Sequence, residues 1–309
     1  MVKPWKGAVL GAASVCAFSI LGNARAADTC QLKMVASLDF VSTDESAVVL
    51  PVILDNIPVK MIVDTGGVAT TISDDWARDQ RLRRHKLERG AGVYGYDGNF
   101  MDSIAYIPSV QTGTLHASDV RAIIQPGWLD KEIVGTLGPD FFLQYEVELD
   151  FAAHKMNLFS QDHCPGQVVY WTHDPAAAIP IKIDGAGHIV ADVTLDGKEV
   201  KAIVDTGATT SVMKMAGATS LFDLTPSSPG VTKISSNEAT GGNYKYTFKT
   251  LTLGGINFNN PTVYLIGDAN PGQETFSREL LLGGHQLSKL HLFISYKERM
   301  LYATSAGAH

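Results

Sequence analysis

Several common signatures of enzymes and binding proteins are missing from this 309-residue chain. It has no HExxH and no GxSxG, the motifs of zinc peptidases and serine hydrolases, and its nine histidines are scattered without metal-ligand spacing. The net charge of −7 gives no electrostatic reason to bind nucleic acid. We therefore expect no metal, no cofactor and no nucleic-acid partner for a chain whose 45% hydrophobic content supports a packed core.

The apolar run at the N-terminus, residues 9–21, is short for a membrane span of about 20 apolar residues. Lys3 and Lys6 precede it, and the small-residue triplet Ala-Arg-Ala ends at Ala26. This layout is typical of a secretory signal peptide, residues 1–26, that is cleaved after Ala26. We expect a periplasmic or secreted mature chain without stable membrane insertion. An uncleaved anchor and a lipid on Cys16 are the alternatives.

Cysteine is scarce, and signal cleavage reduces the three cysteines to Cys30 and Cys164. An even pair in an exported chain predicts a disulfide. In the chain-entropy model, closing so long a loop stabilises the fold by up to roughly 5 kcal/mol. Two free buried thiols are the alternative, and neither residue stands in a recognisable setting for a catalytic nucleophile.

The most informative feature present is an internal repeat. The letters IVDTG at residues 62–66 return at 203–207, and 9 of 19 positions are identical between residues 54–72 and 195–213. Self-similarity over this distance indicates two copies of one domain-sized unit. The predicted organisation is one lobe over residues 27–165, a Pro- and Gly-containing linker over 166–178, and a second lobe over 179–309.

Both units have the pattern of a mostly β protein. Asp55-Asn56 and Asp196-Gly197 are predicted hairpin turns, because Asn, Asp and Gly tolerate the left-handed backbone of tight turns. Each unit ends in a segment that alternates apolar and polar residues, which predicts half-buried strands. Helices are expected only near residues 73–82 and 283–290.

Each unit also contains a glycine-bearing hairpin, at residues 94–100 and 240–244. The first overlaps a G-x-G-x-x-G string at residues 90–95, which lacks the preceding strand and following helix of a dinucleotide site. These hairpins provide the candidate substrate-binding residues Tyr94, Gly95, Tyr96, Gly98, Gly241 and Gly242. The alternative for the tyrosines is that they only pack the hairpin.

The repeated Asp-Thr-Gly gives the candidate catalytic residues Asp64 and Asp205. If the halves pack about a pseudo-twofold axis, these carboxyls lie side by side and share one proton. The ionised carboxylate then takes a proton from a water, and the protonated one donates to the scissile carbonyl oxygen. The supporting loop residues are expected to be Thr65, Gly66, Thr206 and Gly207.

These motifs resemble the aspartic peptidases of the pepsin and retropepsin type. The resemblance rests on the two Asp-Thr-Gly loops, the flap-like hairpins, and the segments Leu137-Gly138 and Leu282-Gly283. It implies a bilobal acid-protease fold, two β-barrel-like lobes with the site between them, and endopeptidase action on an extended peptide. Two hairpins look more like a retropepsin dimer fused into one chain, as in exported bacterial double-domain relatives.

The residue after each Asp-Thr-Gly departs from the pepsin pattern. Gly67 and Ala208 stand where pepsin-like enzymes have a hydroxyl that stabilises the ionised carboxylate. Without that hydroxyl the pair is expected to titrate higher than in pepsin. We therefore expect a mildly acidic to near-neutral optimum; a profile that peaks below about pH 3 would contradict this expectation.

Two other interpretations remain open at this point. One is a non-catalytic peptide-binding or envelope-interaction protein that keeps the fold. The other is that each half pairs with a half from another chain, although a monomer is expected.

Overall fold

Short β-strands joined by tight turns make up most of the structure, which confirms the predicted all-β class. The computed structural model describes residues 31–41, 46–95, 99–127, 130–235, 242–267 and 280–307. The predicted signal peptide, residues 1–26, lies outside them. Within the described ranges, none of the helices has the length and hydropathy of a membrane span.

The first half consists mainly of strands, with two short helices. Its elements are β1 (Met34–Asp39), β2 (Val49–Leu54), β3 (Ile57–Val63), β4 (Thr71–Ser73), α1 (Asp74–Asp79), β5 (His85–Lys86), β6 (Val93–Tyr94), β7 (Phe100–Met101), β8 (Ser103–Thr112), β9 (Leu115–Gln125), β10 (Ile133–Leu137), α2 (Pro139–Phe142), β11 (Glu146–Asp150) and β12 (Lys155–Phe159).

The second half repeats this succession of elements. It contains β13 (Ala177–Ile183), β14 (Ile189–Leu195), β15 (Lys198–Val204), β16 (Val212–Lys214), α3 (Met215–Phe222), β17 (Thr232–Ser235), β18 (Asn243–Thr247), β19 (Thr250–Leu253), β20 (Ile256–Asn259), β21 (Thr262–Ile266), β22 (Leu280–Leu282), α4 (Gly284–Leu287), β23 (Leu290–Ser295) and β24 (Met300–Ser305).

Matching hairpins stand near the start of the two halves. The β2–β3 turn has positive φ angles of 47° at Asp55 and 68° at Asn56, and the β14–β15 turn has 45° at Asp196 and 80° at Gly197. Both pairs lie in the left-handed region that hairpin turns of this kind require. The predicted turns are therefore confirmed.

In each half, one strand lies beside the second strand of the hairpin and supports its end, and its neighbours are the same in both halves. In the first half β10 lies between β3, to which it is parallel, and β4, to which it is antiparallel. In the second half β22 lies in the same way between β15 and β16. Strands β9 and β21 then add in parallel to β4 and β16. The chain segments that follow β3 and β15 therefore start from equivalent positions.

A sheet shared by both halves joins them away from these loops. Strand β11 pairs antiparallel with β23, and the local order is β1-β12-β11-β23-β24-β13, with three strands from each half. The prediction that these terminal strands are half-buried was wrong, since all of β23 is buried. Part of the reason is that the connecting segment covers the sheet: Val168 and Trp171 pack with Phe159, Phe293 and Tyr302.

This shared sheet encloses a polar network around Glu148. One carboxylate oxygen lies 2.8 Å from Nε2 of His291; the other accepts hydrogen bonds from Asn157 Nδ2 at 2.6 Å and the Tyr170 hydroxyl at 2.7 Å. Burial and the adjacent Glu148 raise the pKa of Tyr170. A buried carboxylate is stable in a sheet only with such partners, so this network ties the connecting segment to both halves.

The helix prediction was correct in two places and incomplete in two others. Helix α1 starts after Ser73, whose Oγ accepts the Trp76 N–H, and α4 lies within the second expected segment. Helices α2 and α3 were missed. Helix α3 contains Gly217 and follows Lys214, which makes no side-chain cap, so its sequence has few of the usual start signals.

The limits predicted for the two lobes, 27–165 and 179–309, and for the linker, 166–178, stay predictions. Residues 31–309 pack together as one compact unit. Strand β13 already begins at Ala177, at the end of the predicted linker.

The network around Glu148 predicts a difference between two tyrosines of similar exposure. Tyr170→Phe removes a donor to a buried carboxylate and should lower the free energy of unfolding by about 1–3 kcal/mol in denaturant titrations. Tyr106, on β8, is 48% exposed against 54% for Tyr170. Tyr106→Phe is the matched control and should stay within about 0.5 kcal/mol of the native chain. Equal losses in the two variants would contradict this role for the Tyr170 hydroxyl.

Candidate functional site

Each Asp-Thr-Gly loop begins where a supporting strand holds its aspartate. The Asp64 N–H donates to the carbonyl of Leu137 at 2.9 Å, and the Asp205 N–H donates to the carbonyl of Leu282 at 3.0 Å. The hydrophobic-Gly segments at 137–138 and 282–283 therefore lie behind the loops, as the resemblance implied. The two aspartates leave equivalent strand ends.

Crossed hydrogen bonds fix the two loops against each other. The Thr65 hydroxyl donates to the carbonyl of Val204 at 2.7 Å and accepts the Thr206 N–H at 3.1 Å. Reciprocally, the Thr206 hydroxyl donates to the carbonyl of Val63 at 2.6 Å and accepts the Thr65 N–H at 3.2 Å. Both threonines are almost fully buried. All four bonds join the two halves of one chain, so the loops meet without a second copy.

The loop glycines allow the carboxyls to approach. A Cβ on Gly66 would lie 2.3 Å from Cγ of Asp205, and a Cβ on Gly207 would lie 2.4 Å from Oδ1 of Asp64. Real Cβ atoms do not make such contacts, so any side chain at either position would displace the opposite carboxyl. Glycine at these two positions therefore provides space across the interface between the halves.

The two carboxyls are paired with each other and with main-chain donors. The Asp64 carboxyl lies against Gly207 and the Asp205 carboxyl lies against Gly66, so the two carboxyls face each other between the loops. Asp64 Oδ1 accepts the Gly66 N–H at 3.1 Å. Asp205 Oδ1 accepts the N–H groups of Gly207 at 2.8 Å and Ala208 at 3.1 Å. The loop backbone therefore supplies hydrogen bonds that stabilise negative charge.

Burial nevertheless dominates the electrostatics of the pair. Burial and the charge of Asp64 raise the pKa of Asp205 to about 8, against the opposing N–H donors. Burial also raises the pKa of Asp64, while the N–H groups of Gly67 and Gly66 act in the other direction. Two carboxyls this close titrate as one unit, so their pKa values belong to the pair.

The structure gives a physical reason for the glycine at position 67, which follows the first Asp-Thr-Gly. A Cβ there would lie 2.7 Å from Oδ2 of Asp64. The absence of a side chain therefore keeps the Asp64 carboxyl from being crowded.

Polar residues behind the loops hold the two hydrophobic-Gly segments in place, and the sequence analysis did not identify them. Thr70 Oγ1 accepts the Gly138 N–H at 3.2 Å, and Ser211 Oγ accepts the Gly283 N–H at 3.1 Å. Asp140 accepts from Thr70, and burial raises the pKa of Asp140. Thr70 and Ser211 are 141 residues apart, the period of the repeat, and that period could have identified them.

The flap-like hairpins are described only in part. Strands β6 and β7 pair, the Gly95 N–H donates to the Asn99 carbonyl, and the rings of Tyr94 and Phe100 lie 4.7 Å apart. Tyr94 thus packs on its own hairpin and is 53% exposed. Gly242 has a φ of 96° before β18. Tyr96, Gly98 and Gly241 lie outside the described residues. The substrate-binding role of all six stays a prediction.

In the part of the chain that the structure describes, no group of three or more His, Cys, Asp and Glu side chains is placed to hold a metal ion. The site consists of two carboxyls and the hydrogen-bonded loops that hold them.

The crossed hydrogen bonds predict different outcomes for two substitutions at Thr206. Thr206→Val keeps the branched shape and removes the hydroxyl, which leaves the buried Thr65 N–H and Val63 carbonyl without this partner. The free energy of unfolding should fall by about 2–4 kcal/mol. Thr206→Ser keeps the hydroxyl and should cost roughly 1 kcal/mol. Denaturant titrations of both variants make the comparison, and equal losses would show that packing, not hydrogen bonding, joins the loops.

Comparisons with known proteins match both halves to peptidases. Residues 50–143 match the family described as gag-polyprotein putative aspartyl protease, and residues 191–285 match the family described as aspartyl protease. Among the solved structures that match is a retropepsin-like aspartic protease from Rickettsia conorii, at 14% identity and a TM-score of 0.28, over 42% of this chain and 92% of that one. A search of curated proteins found no match. An aspartyl protease family thus matches each half of the chain, and these matches support an aspartic-type endopeptidase. The structure agrees with them in its mostly β architecture of two equivalent halves, whose Asp-Thr-Gly loops meet.

Proposed function

We propose that the chain is an exported endopeptidase in which Asp64 and Asp205 together activate one water molecule. The observation that carries the proposal is the pair of facing carboxyls, held by crossed threonine bonds from two equivalent loops. Such a pair holds one proton and one negative charge side by side. This combination provides a general base and a general acid within reach of the same substrate bond.

The proposed reaction needs no group beyond the two carboxyls and water. The ionised carboxylate removes a proton from water, and the oxygen forms a bond to the carbonyl carbon of the peptide. The protonated carboxyl gives its proton to the carbonyl oxygen, which produces a tetrahedral diol. When the diol collapses, the C–N bond breaks and a C=O bond forms again. The carboxyl that took the proton from water gives a proton to the amine nitrogen, while the other carboxylate removes a proton from a diol hydroxyl, so the pair again holds one proton.

The proposed substrate is an extended peptide bound beneath the hairpins. Strands β6–β7 and β17–β18 each form an antiparallel hairpin in the half to which they belong. An extended peptide gains affinity from main-chain hydrogen bonds to such edges, while alternate side chains enter pockets. The exposed Tyr94 ring is available for contact with a substrate side chain.

The carboxyl pair predicts loss of cleavage in either asparagine variant. Residues 27–309 are incubated with a mixed peptide library from pH 3 to 8, beside Asp64→Asn and Asp205→Asn. We expect cleavage by the native chain with a mildly acidic to near-neutral optimum, and a loss of at least about 1000-fold in each variant. Cleavage that survives either substitution would show that other residues act. A folded native chain without cleavage at any pH would favour the peptide-binding alternative.

A stability measurement shows whether the asparagine variants remain folded. The pKa of Asp205 is raised in the folded state, so the stability from its bound proton is complete below about pH 4 and is lost as the pH rises toward 8. Asparagine does not ionise, so the Asp205→Asn variant does not lose this stability as the pH rises. The variant should therefore be at least as stable as the native chain at pH 8, and loss of cleavage cannot then result from unfolding.

Export and the Cys30–Cys164 disulfide belong to the same proposal. Cys30 lies outside the described residues. Near it in sequence, the main-chain carbonyl of Lys33 accepts a hydrogen bond from the Ser160 N–H at 2.9 Å, and β1 runs antiparallel to β12. Segments close to the two cysteines in sequence are thus adjacent, which supports the pairing.

The disulfide predicts a chain without free thiols after export. Protein recovered from the medium or periplasm of an expression host should begin at residue 27, and its mass should not increase on alkylation unless it is first reduced. The double substitution of Cys30 and Cys164 by serine should destabilise the chain by up to roughly 5 kcal/mol. Two alkylated cysteines without reduction would contradict the pairing, and an intact N-terminus would contradict signal cleavage.

A further inference from the structure

One hydroxyl group behind each loop holds the hydrophobic-Gly segment of the same half. The Gly138 N–H donates to Thr70 Oγ1 at 3.2 Å, and the Gly283 N–H donates to Ser211 Oγ at 3.1 Å. Both hydroxyl residues are almost fully buried. The carbonyl just before each glycine accepts the N–H of the Asp-Thr-Gly aspartate. Each hydroxyl is therefore linked to one aspartate through a single short segment.

The segments also pack directly on the chain that carries these hydroxyls. A Cβ on Gly138 would lie 2.3 Å from the main-chain carbonyl carbon of Ala69, and a Cβ on Gly283 would lie 2.4 Å from the main-chain oxygen of Thr210. Each contact is with the residue immediately before the hydroxyl-bearing one. A shift of the hydroxyl residue would therefore move the segment and the aspartate that it supports.

A side chain from the following short helix accepts the hydrogen of each hydroxyl. The Thr70 hydroxyl donates to Asp140 Oδ1 at 3.0 Å, and the Ser211 hydroxyl donates to Gln286 Oε1 at 2.5 Å. A hydroxyl has one hydrogen and two lone pairs, so an acceptor that takes the hydrogen leaves a lone pair for the glycine N–H. Asp140 Oδ1 also accepts the main-chain N–H of Thr70 at 2.8 Å.

The two halves achieve this arrangement with different residues. The hydroxyl residues are 141 residues apart, which is the period of the repeat, but Asp140 and Gln286 are 146 apart. Asp140 is the second residue of α2, whereas Gln286 is the third residue of α4. A carboxyl and an amide from unequal helix positions thus make the same bond. The repeat alone does not explain this, so the bond itself points to a requirement of the site.

We propose that Asp140 and Gln286 are positioning residues for cleavage, which hold Asp64 and Asp205 in place through the two hydroxyls. This inference rests on the proposed function. Without its acceptor a hydroxyl is free to rotate, and its hold on the glycine N–H weakens. The aspartate in front of it then loses part of its fixed geometry, on which the rate depends steeply.

A loosened aspartate also changes how the carboxyl pair titrates. The interaction between two close carboxyls separates their two apparent pKa values. A larger or more variable distance weakens this interaction. The two pKa values then approach each other, and a bell-shaped pH profile becomes narrower. A substitution that only destabilises the fold leaves the width of that profile unchanged.

The first test compares the kinetics of the native chain, Asp140→Ala and Asp140→Asn from pH 3 to 8. Asp140→Ala removes the acceptor. It should lower kcat by about 10–100-fold with little change in KM, and it should narrow the kcat/KM profile by roughly 0.5 pH unit or more. Asp140→Asn keeps a carbonyl oxygen for both Thr70 donors and should retain the native profile and kcat within about 3-fold.

Asp130→Ala is the matched control. Asp130 Oδ1 also accepts two donors, the N–H groups of Glu132 and Ile133 at 2.8 and 3.0 Å. It precedes the start of β10, whereas the hydrophobic-Gly segment lies at the end of that strand. The control should keep the native kcat and profile. A native kcat in Asp140→Ala, or equal losses in Asp130→Ala and Asp140→Ala, would overturn the proposal.

The second half provides an independent variant, which decides the matter if Asp140→Ala does not fold. Gln286 is 3% exposed, and Gln286→Met keeps a similar volume without the acceptor. We expect the same direction as for Asp140→Ala, a lower kcat and a narrower profile. A native kcat with a native profile would overturn the role of Gln286.

A second readout does not depend on catalysis. The side-chain carboxyl carbons of aspartate are labelled with ¹³C, and the signals of Asp64 and Asp205 are titrated in the native chain and in the variants. The two apparent pKa values should lie closer together in Asp140→Ala and in Gln286→Met than in the native chain. An unchanged separation would refute the positioning role. A native chain that cleaves nothing would refute the proposed function, whatever the titration shows.

Discussion

The crossed hydrogen bonds of Thr65 and Thr206 are the contact on which the arrangement of the site depends. They hold two carboxyls together that would repel each other if both were ionised. Each threonine hydroxyl donates to the main chain of the opposite half and accepts from it, so neither hydroxyl is left unsatisfied in a buried place. Retaining one proton removes most of the repulsion, and the threonine bonds keep the distance short.

The shared sheet stabilises the same contact from a distance. Strands β11 and β23 pair across the halves, and the network around Glu148 binds the connecting segment to them. The halves are therefore joined both at the Asp-Thr-Gly loops and in the sheet. A displacement of one half against the other would break main-chain hydrogen bonds at both, which explains how short loops hold the carboxyls in a fixed geometry.

The repeated Asp-Thr-Gly made the carboxyl pair and its threonines predictable, because the period of 141 residues aligns two loops that must fold alike. The burial of β23 was not predictable in this way, since its cover comes from residues such as Val168 that are remote in sequence. The reason for Gly67 also depends on a contact in space.

Since both Asp-Thr-Gly loops belong to one covalent chain, their meeting is an intramolecular equilibrium. A site assembled from two separate copies is half lost when the protein concentration falls to the dissociation constant of the pair. Here the β11–β23 pairing and the crossed threonines form within the same molecule at any concentration. Dilution would dissociate a site that is built from two chains, but it leaves this site assembled.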